Sequence, residues 1–413
     1  MEQTLRQMAG QIMIQALAAV QPDAAVRSAL EQAELSGRVY LVAIGKAAWQ
    51  MASAAYQTLG ARITDGVVIT KHGHSRGAIG SLAIFEAGHP VADAASFAAT
   101  RHALALTERL TAEDTVLFLV SGGGSALFEL PFITPEEQQR ITRELLACGA
   151  DIVEMNTIRK RLSRVKAGRF AQHCAPARVF SIVLSDIVGD PLDMIASGPA
   201  YPDSSTCAQA LAVAEKYGLH LTDRMRRLLH EETPKTLDNV ETVITGSVRI
   251  LCAAAAESCE KLGYQATVLT DQLCCQAREA GSFLASIALT HKDTDRPLAF
   301  IAGGETVVRL TGKGKGGRNQ ELALAAAPGI AGLDNALIFS LGSDGTDGPT
   351  DAAGGLVDGS TQARLAEQGV SIHAVLQDND AYHALERVGG LIQTGPTGTN
   401  VNDVAVVLLG KGA

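Results

Sequence analysis

The stretch VYLVAIGKAA, residues 39–48, decides the class of fold. Val39 to Ile44 form an unbroken apolar run without polar alternation, the pattern of a strand buried on both faces of a parallel sheet. Gly45 and Lys46 interrupt it, and an alanine-rich segment from Ala47 continues as a helix. Strand, turn and helix in that order make a βα unit, whose turn lies at the carboxyl end of the strand, where α/β sheets bind ligands. The turn carries one glycine and a lysine rather than G-x-G-x-x-G, so a classical dinucleotide fingerprint is absent and Lys46 is a candidate partner for a carboxylate or phosphate.

The same grammar recurs outward. GVVIT (66–70) runs into Lys71-His72-Gly73-His74, and LAIFEA (82–87) into Gly88-His89-Pro90. The three histidines read as solvated or backbone-bound and receive no catalytic role, His89 being the best placed of them. TVLFLV (115–120) feeds Ser121-Gly122-Gly123-Gly124-Ser125, a turn whose converging N–H groups and two hydroxyls suit an anion. Thr134, Pro135 and Glu137 form a capping box with proline at the first helical position, which opens a helix to about Ala147. VFSIVLS (179–185) ends in Asp186 and Asp190 within a Gly/Pro loop, two carboxylates at a sheet edge where a general base or metal ligand meets substrate. Upstream helices over residues 1–35 place Leu5, Met8, Ile12 and Leu17 on one face.

Between these strands lies the most basic stretch of the chain, NTIRKRLSRVKAGRFAQ (156–172), read as a solvated helix face with Asn156 and Lys166 as the residues to test. The pattern weakens over 218–240, which sets a boundary between residues 1–235 and 236–413. A second βα series is expected from ETVIT (241–245) through QATVLT (265–270) and LAFIAG (298–303) to a final VAVVLL (404–409). Within it, Glu305 occupies a glycine-rich turn, and GKGKGG (312–317) leads into Arg318, Asn319 and a helix, a loop shaped for an anion. Gly312 and Gly317 have P-loop spacing, but Arg318-Asn319 stands where Lys-Ser/Thr is required, so this is no Walker A motif. Asp344, Asp347 and Asp351 follow in a turn of the kind that supplies hard oxygen ligands to Mg²⁺.

Composition agrees with an enzyme of this class. The 413 residues are 46% hydrophobic and only 4% aromatic, as in α/β proteins packed with small side chains. A net charge of -9 argues against a nucleic-acid partner. Seven cysteines without CxxC spacing imply neither a zinc site nor a disulfide framework. No apolar run has the length of a membrane span and no signal-peptide pattern opens the chain, so the expected location is the cytoplasm, with no membrane partner.

AIGKAAWQMA, SGGGSAL, NTIRKRLSRVKAGRFA, LSDIVGDPLDMIASGP, GGETVV, GKGGRNQELAL, GSDGTDGPTDAAG and TGPTGTNVNDV, taken in order, resemble the class II glycerate kinases with a MOFRL C-terminal domain. The resemblance spans nearly the whole chain. It implies two α/β domains, an N-terminal Rossmann-like parallel sheet and a C-terminal MOFRL-type domain, with the active site in the inter-domain cleft. It implies ATP and Mg²⁺ as cofactors, D-glycerate as the small-molecule substrate and 2-phosphoglycerate as product, with assembly as a homodimer left open. By motif, the family's important lysine falls on Lys46 and its arginine on Arg318. Its aspartate falls on Asp186 or Asp190, which the sequence does not separate.

The chemistry expected from these residues is positioning and charge neutralisation. Lys46 and the turn Ser121, Gly122, Gly123, Gly124 and Ser125 hold anionic groups, with Asn156, Lys166 and Asn319 as further binding residues. Arg318 stabilises the transferring phosphoryl, the aspartate orients or deprotonates the 2-hydroxyl, and Glu305 and Asp344 stand near Mg²⁺. Family members also carry the name hydroxypyruvate reductase in tartrate degradation, which makes an NAD(P)H-dependent reductase the alternative. A non-catalytic sensor of nucleotides or sugar phosphates is a third class, with no need for so many clustered acids and bases.

Overall fold

Continuous apolar runs become the interior strands of two sheets. The computed structural model describes residues 4–412, which divide into two compact units. One contains Ala25–Leu184 and Asp190–Thr245. Its six-stranded sheet has the order β3-β2-β1-β4-β5-β6, from β1 (Val39–Ile44), β2 (Ile63–Lys71), β3 (Ala83–Ala87), β4 (Thr115–Val120), β5 (Arg178–Leu184) and β6 (Val240–Gly246). β1 pairs in parallel with β2 and β4, as do β2 with β3 and β4 with β5. The chain moves outward from β1 to β3 and returns to the other side of β1 as β4, so strand order reverses between β1 and β4. Such a switch point opens a crevice at the carboxyl ends of the two strands. Gly45-Lys46 and Ser121–Ser125 are the turns that border it.

The other unit holds residues up to Ala24, Ser185–Gly189 and Gly246–Ala413. Its strands are β7 (Gln265–Leu273), β8 (Leu298–Gly304), β9 (Ala336–Gly342), β10 (Gly354–Asp358), β11 (Leu391–Ile392) and β12 (Asp403–Leu409), in the order β11-β10-β9-β12-β8-β7. Only β7 and β8 pair in parallel; β12 runs antiparallel to both β8 and β9, and β10 to β9 and β11. Its core is rich in small side chains, among them Ala277, Ala280, Ala285, Ala302, Ala323 and Ala326, which lets the helices approach the sheet closely. The first helix, Leu5–Ala19, belongs to this unit, fastened by Arg6 to Asp358 at 2.6 Å and by the Thr399 hydroxyl donating to the Val20 carbonyl at 2.8 Å.

Two sequence expectations change here. ETVIT does not begin a second series: β6 closes the edge of the first sheet beside β5, where Val179 donates to the Asn239 carbonyl at 2.7 Å. A strand's own pattern does not encode which sheet edge it joins, and the chain passes between units at Thr245/Gly246. The basic stretch is not a solvated face either, since Lys160, Arg161 and Lys166 are 2%, 0% and 0% exposed. Lys160 Nζ lies 3.2 Å from Asp193 Oδ2 and 3.1 Å from Asp203 Oδ1, and Arg161 Nη1 lies 3.6 Å from Asp203 Oδ2. Carboxylates remote in sequence compensate each buried cation, as charges taken out of water require.

Candidate active-site residues in each unit

The candidate residues fall into two groups, one in each unit. At the carboxyl ends of β1 and β4, Lys46 donates its backbone N–H to the Gly122 carbonyl at 2.8 Å. The Ser121 hydroxyl ties the two turns together, donating to the Ile44 carbonyl at 3.2 Å and accepting from the Ala47 amide at 3.1 Å. Gly123 takes φ 85° to start the short helix Gly124–Leu127. A Cβ there would stand 3.2 Å from Lys46 Cγ, so glycine is what lets the lysine stem cross the turn.

Deeper in the same unit, the Ser125 and Ser197 hydroxyls share a 2.8 Å hydrogen bond, and Ser197 Oγ lies 3.5 Å from Asn156 Oδ1. Ser197 and Ala196 adopt φ of 61° and 52°, strain of about 1–3 kcal/mol each that persists where surrounding structure demands it. Lys166 holds this turn from behind: Nζ donates to the Ser125 carbonyl at 2.6 Å and faces Glu129 Oε2 at 3.3 Å. Burial pushes the Lys166 ammonium below the usual lysine range, and the Glu129 carboxylate pulls the other way. Asp190 also sits at φ 52°, with Oδ1 buried and without a hydrogen-bond partner.

In the other unit Arg318 opens the helix Arg318–Ala326. Its Nε donates to Asp403 Oδ2 at 2.5 Å and its Nη2 to Asp403 Oδ1 at 3.0 Å, while Nη1 lies 3.3 Å from Glu305 Oε1. Burial works against the guanidinium's charge, but Asp403 and then Glu305 outweigh it and lift the pKa. Burial pushes the Asp403 carboxyl up, against the pull of Arg318. Asp344 Oδ1 accepts from the Thr346 amide at 2.9 Å, and a Cβ on Gly342 would lie 3.4 Å from both Asp344 Oδ1 and Asp403 Oδ1. Asn402, at φ 66°, donates to the Asp186 carbonyl at 3.0 Å and to Glu305 Oε2 at 3.3 Å, leaving its own Oδ1 buried without a partner. The two aspartates that the sequence leaves together are thus divided, Asp186 with Arg318's group and Asp190 with the other unit.

The N–H groups of the glycine-rich loop do find acceptors, an amide oxygen and two carboxylates that belong to the chain. Asn379 Oδ1 accepts from Thr311 and Gly312 at 2.7 and 2.9 Å, Asp378 Oδ1 from Lys313 at 3.0 Å and Asp380 Oδ1 from Lys315 at 2.9 Å. The helix N-terminus is filled by Asp347, which accepts from the Asn319 and Gln320 amides at 3.2 and 2.8 Å. Gly317 is required beside it, because a Cβ would stand 2.2 Å from Asp347 Cγ. The Asn319 side chain accepts from the Ser340 hydroxyl at 2.6 Å.

Burial, more than its two amide donors can offset, pushes the Asp347 carboxyl up to about 6. The folded chain then holds this proton more tightly than the unfolded chain, whose aspartate titrates near pH ~4. The stabilisation is present below pH ~4 and is lost as pH rises to about 6, an effect of about 3 kcal/mol. The unfolding free energy of the wild type minus that of Asp347→Asn is therefore expected to fall across this window; a flat difference would show that the carboxyl titrates normally.

Sequence reasoning missed Asp403, Asn402 and Ser197. Asp403 closes the motif TGPTGTNVND, but nothing local says that its carboxylate grips an arginine on another element.

With this geometry in view, the relatives are informative. Residues 8–230 match the family model described as a domain of unknown function, DUF4147, and residues 298–403 match the MOFRL family. A protein of Thermotoga maritima named D-glycerate 2-kinase is 52% identical, covering 98% of this chain and 99% of its own. One of Pyrococcus horikoshii named glycerate 2-kinase is 41% identical over 91% of this chain and 88% of its own. The crystal structure of a Thermotoga maritima glycerate kinase superposes with a TM-score of 0.95 at 52% identity, covering 98% of this chain and 99% of that one. Other relatives carry a hydroxypyruvate reductase name. A chain matched so nearly from end to end, with the DUF4147 domain ahead of the MOFRL domain, belongs to the glycerate kinase family.

Proposed function

We propose that this chain transfers the γ-phosphate of ATP to the 2-hydroxyl of D-glycerate, giving 2-phosphoglycerate and ADP. The observation that carries the reading is Arg318, a permanently charged guanidinium clasped at Nε and Nη2 by the buried Asp403, in a chain whose full-length relative bears the name D-glycerate 2-kinase. Phosphoryl transfer asks for fixed charge on the transferring group more than for covalent help, and a pre-oriented arginine supplies it without reorganisation. Lys46 and the Ser121–Ser125 turn hold anionic oxygens, with Lys166 holding the Ser125 carbonyl and Asn156 beside Ser197, the hydroxyl partner of Ser125. Asn319 anchors the first turn of the helix that carries Arg318. Asp190 or Asp186 orients or deprotonates the 2-hydroxyl.

Among the described residues no three His, Cys, Asp or Glu side chains converge into a metal cage. Mg²⁺ is commonly held by one or two carboxylates together with substrate phosphates, and Glu305 and Asp344 fit that donor set. Bound there with the nucleotide, the metal would neutralise charge on the phosphates. No helix among the described residues is long and apolar enough to cross a membrane. A cytoplasmic location and association as a homodimer complete the reading.

The deciding experiment is ADP release from ATP, Mg²⁺ and D-glycerate, with the product passed to enolase. ADP with immediate enolase turnover is the expected result. ADP without it means phosphorylation at the 3-hydroxyl. No ADP, with NADH consumed on hydroxypyruvate, would establish the reductase instead, despite a βα turn at Gly45-Lys46 that lacks the dinucleotide fingerprint.

A further inference from the structure

Beyond β3 the imidazole of His89 lies half-buried against the Ser121–Ser125 turn. The point that a Gly123 Cβ would occupy is 3.0 Å from His89 Cδ2, 3.2 Å from His89 Nε2 and 3.2 Å from Lys46 Cγ. Imidazole, lysine stem and glycine backbone therefore crowd one place at the carboxyl edge of the sheet, beside the switch point between β1 and β4.

Neighbouring histidines are engaged elsewhere. His72 Nε2 lies 3.0 Å from Asp93 Oδ2, and His74 Nδ1 lies 3.3 Å from the Lys46 carbonyl. The His89 ring has no hydrogen-bond partner among the described residues. The charged and titratable groups around it are Lys46 in the turn after β1, Lys71 at the end of β2 and His74 just beyond it; Asp93 is turned to His72 and to the Ser96 and Gly88 amides. Burial first, then the cations, hold the His89 imidazole below the ordinary histidine range, which favours the neutral ring.

We propose that His89 is a catalytic residue, the acceptor of the substrate's hydroxyl proton, with Lys46 beside it holding an anionic oxygen of the same substrate. The inference rests on the kinase reading above and assigns the proton within it. The 2-hydroxyl oxygen of D-glycerate bonds to the γ-phosphorus of ATP. The bond from that phosphorus to the bridging oxygen breaks, its electron pair leaving on ADP. The hydroxyl proton passes to His89 Nε2, and the aspartate keeps the orienting role.

The test is kcat/KM for D-glycerate from about pH 5 to about pH 9 in wild type and His89→Asn. The wild type is expected to rise along an acid limb with its midpoint below the ordinary histidine value. His89→Asn should be about a hundredfold slower or more, with that limb gone and the KM for ATP unchanged. A wild type that releases no ADP refutes the kinase reading itself. An active wild type whose variant keeps both rate and limb overturns the role of His89 alone. Should the variant not fold, the histidine ring signals of the wild type are followed by NMR as D-glycerate is added; a His89 signal that does not move also overturns the proposal.

Discussion

Arg318→Ala is expected to lower turnover roughly a hundredfold or more at saturating ATP and D-glycerate, since losing one preorganised contact to transition-state charge costs about 2.7–4 kcal/mol. The size of the effect follows from how the side chain is held. Two bonds to Asp403 at 2.5 and 3.0 Å and a third contact to Glu305 leave little freedom for the guanidinium to reorganise. Arg318→Lys should rescue little, because a single ammonium cannot reproduce a planar fork gripped at two nitrogens. Steady-state ADP release checks both variants. Near-normal turnover in Arg318→Ala would remove this residue from the mechanism, and full activity in Arg318→Lys would show that charge alone suffices.

The second large effect is on stability. Asp203→Ala should destabilise its unit by about 3–5 kcal/mol, the usual loss when one partner leaves a buried ion pair. Asp203 answers both Lys160 and Arg161 and accepts from the Thr233 hydroxyl at 2.7 Å and the Ser205 hydroxyl at 2.9 Å. Removing it leaves two cations inside with Asp193 and Glu232 as their remaining counter-charges. Trp49, the single tryptophan of the chain, lies in the same unit and reports its unfolding in denaturant by fluorescence. A shift below about 1 kcal/mol would mean that water or the remaining carboxylates already compensate these charges, as at exposed pairs.

Much of the architecture was legible because it is written locally. β1 and β4 match their apolar runs residue for residue, and the helix Pro135–Ala147 begins at the Thr134 cap with the reciprocal Glu137 bond in place. The family resemblance rested on motifs at strand ends and helix starts, among them the turns bearing Lys46 and Ser121 and the helix start bearing Arg318. What stayed hidden depends on partners distant in sequence. No window around Lys160 reveals Asp203, and none around the glycine-rich loop reveals Asp378, Asn379 and Asp380, which take up its N–H groups. β10 escaped notice because Gly354-Gly355 offers no alternation; it is a strand only through β9 on one side and β11 on the other. The pair Asp186 and Asp190 could be divided only by seeing which unit each joins.

The placement of the first helix bears on how this chain comes to be folded as it is synthesised. Leu5–Ala19 is made before the strands of the parallel sheet, yet the groups that fasten it, Asp358 and Thr399, are made after all of them. Its buried face of Ala9, Ile12, Met13, Ala16 and Leu17 packs chiefly on the helix Val248–Lys261, which follows the whole parallel sheet in the chain. The intervening parallel sheet can form meanwhile from strands already translated, so early folding should proceed through that sheet, with the helix Leu5–Ala19 docking afterwards. A nascent chain stalled before Val248–Lys261 would accordingly expose an apolar helix to chaperones, whereas extension through that helix and β9 would cover it.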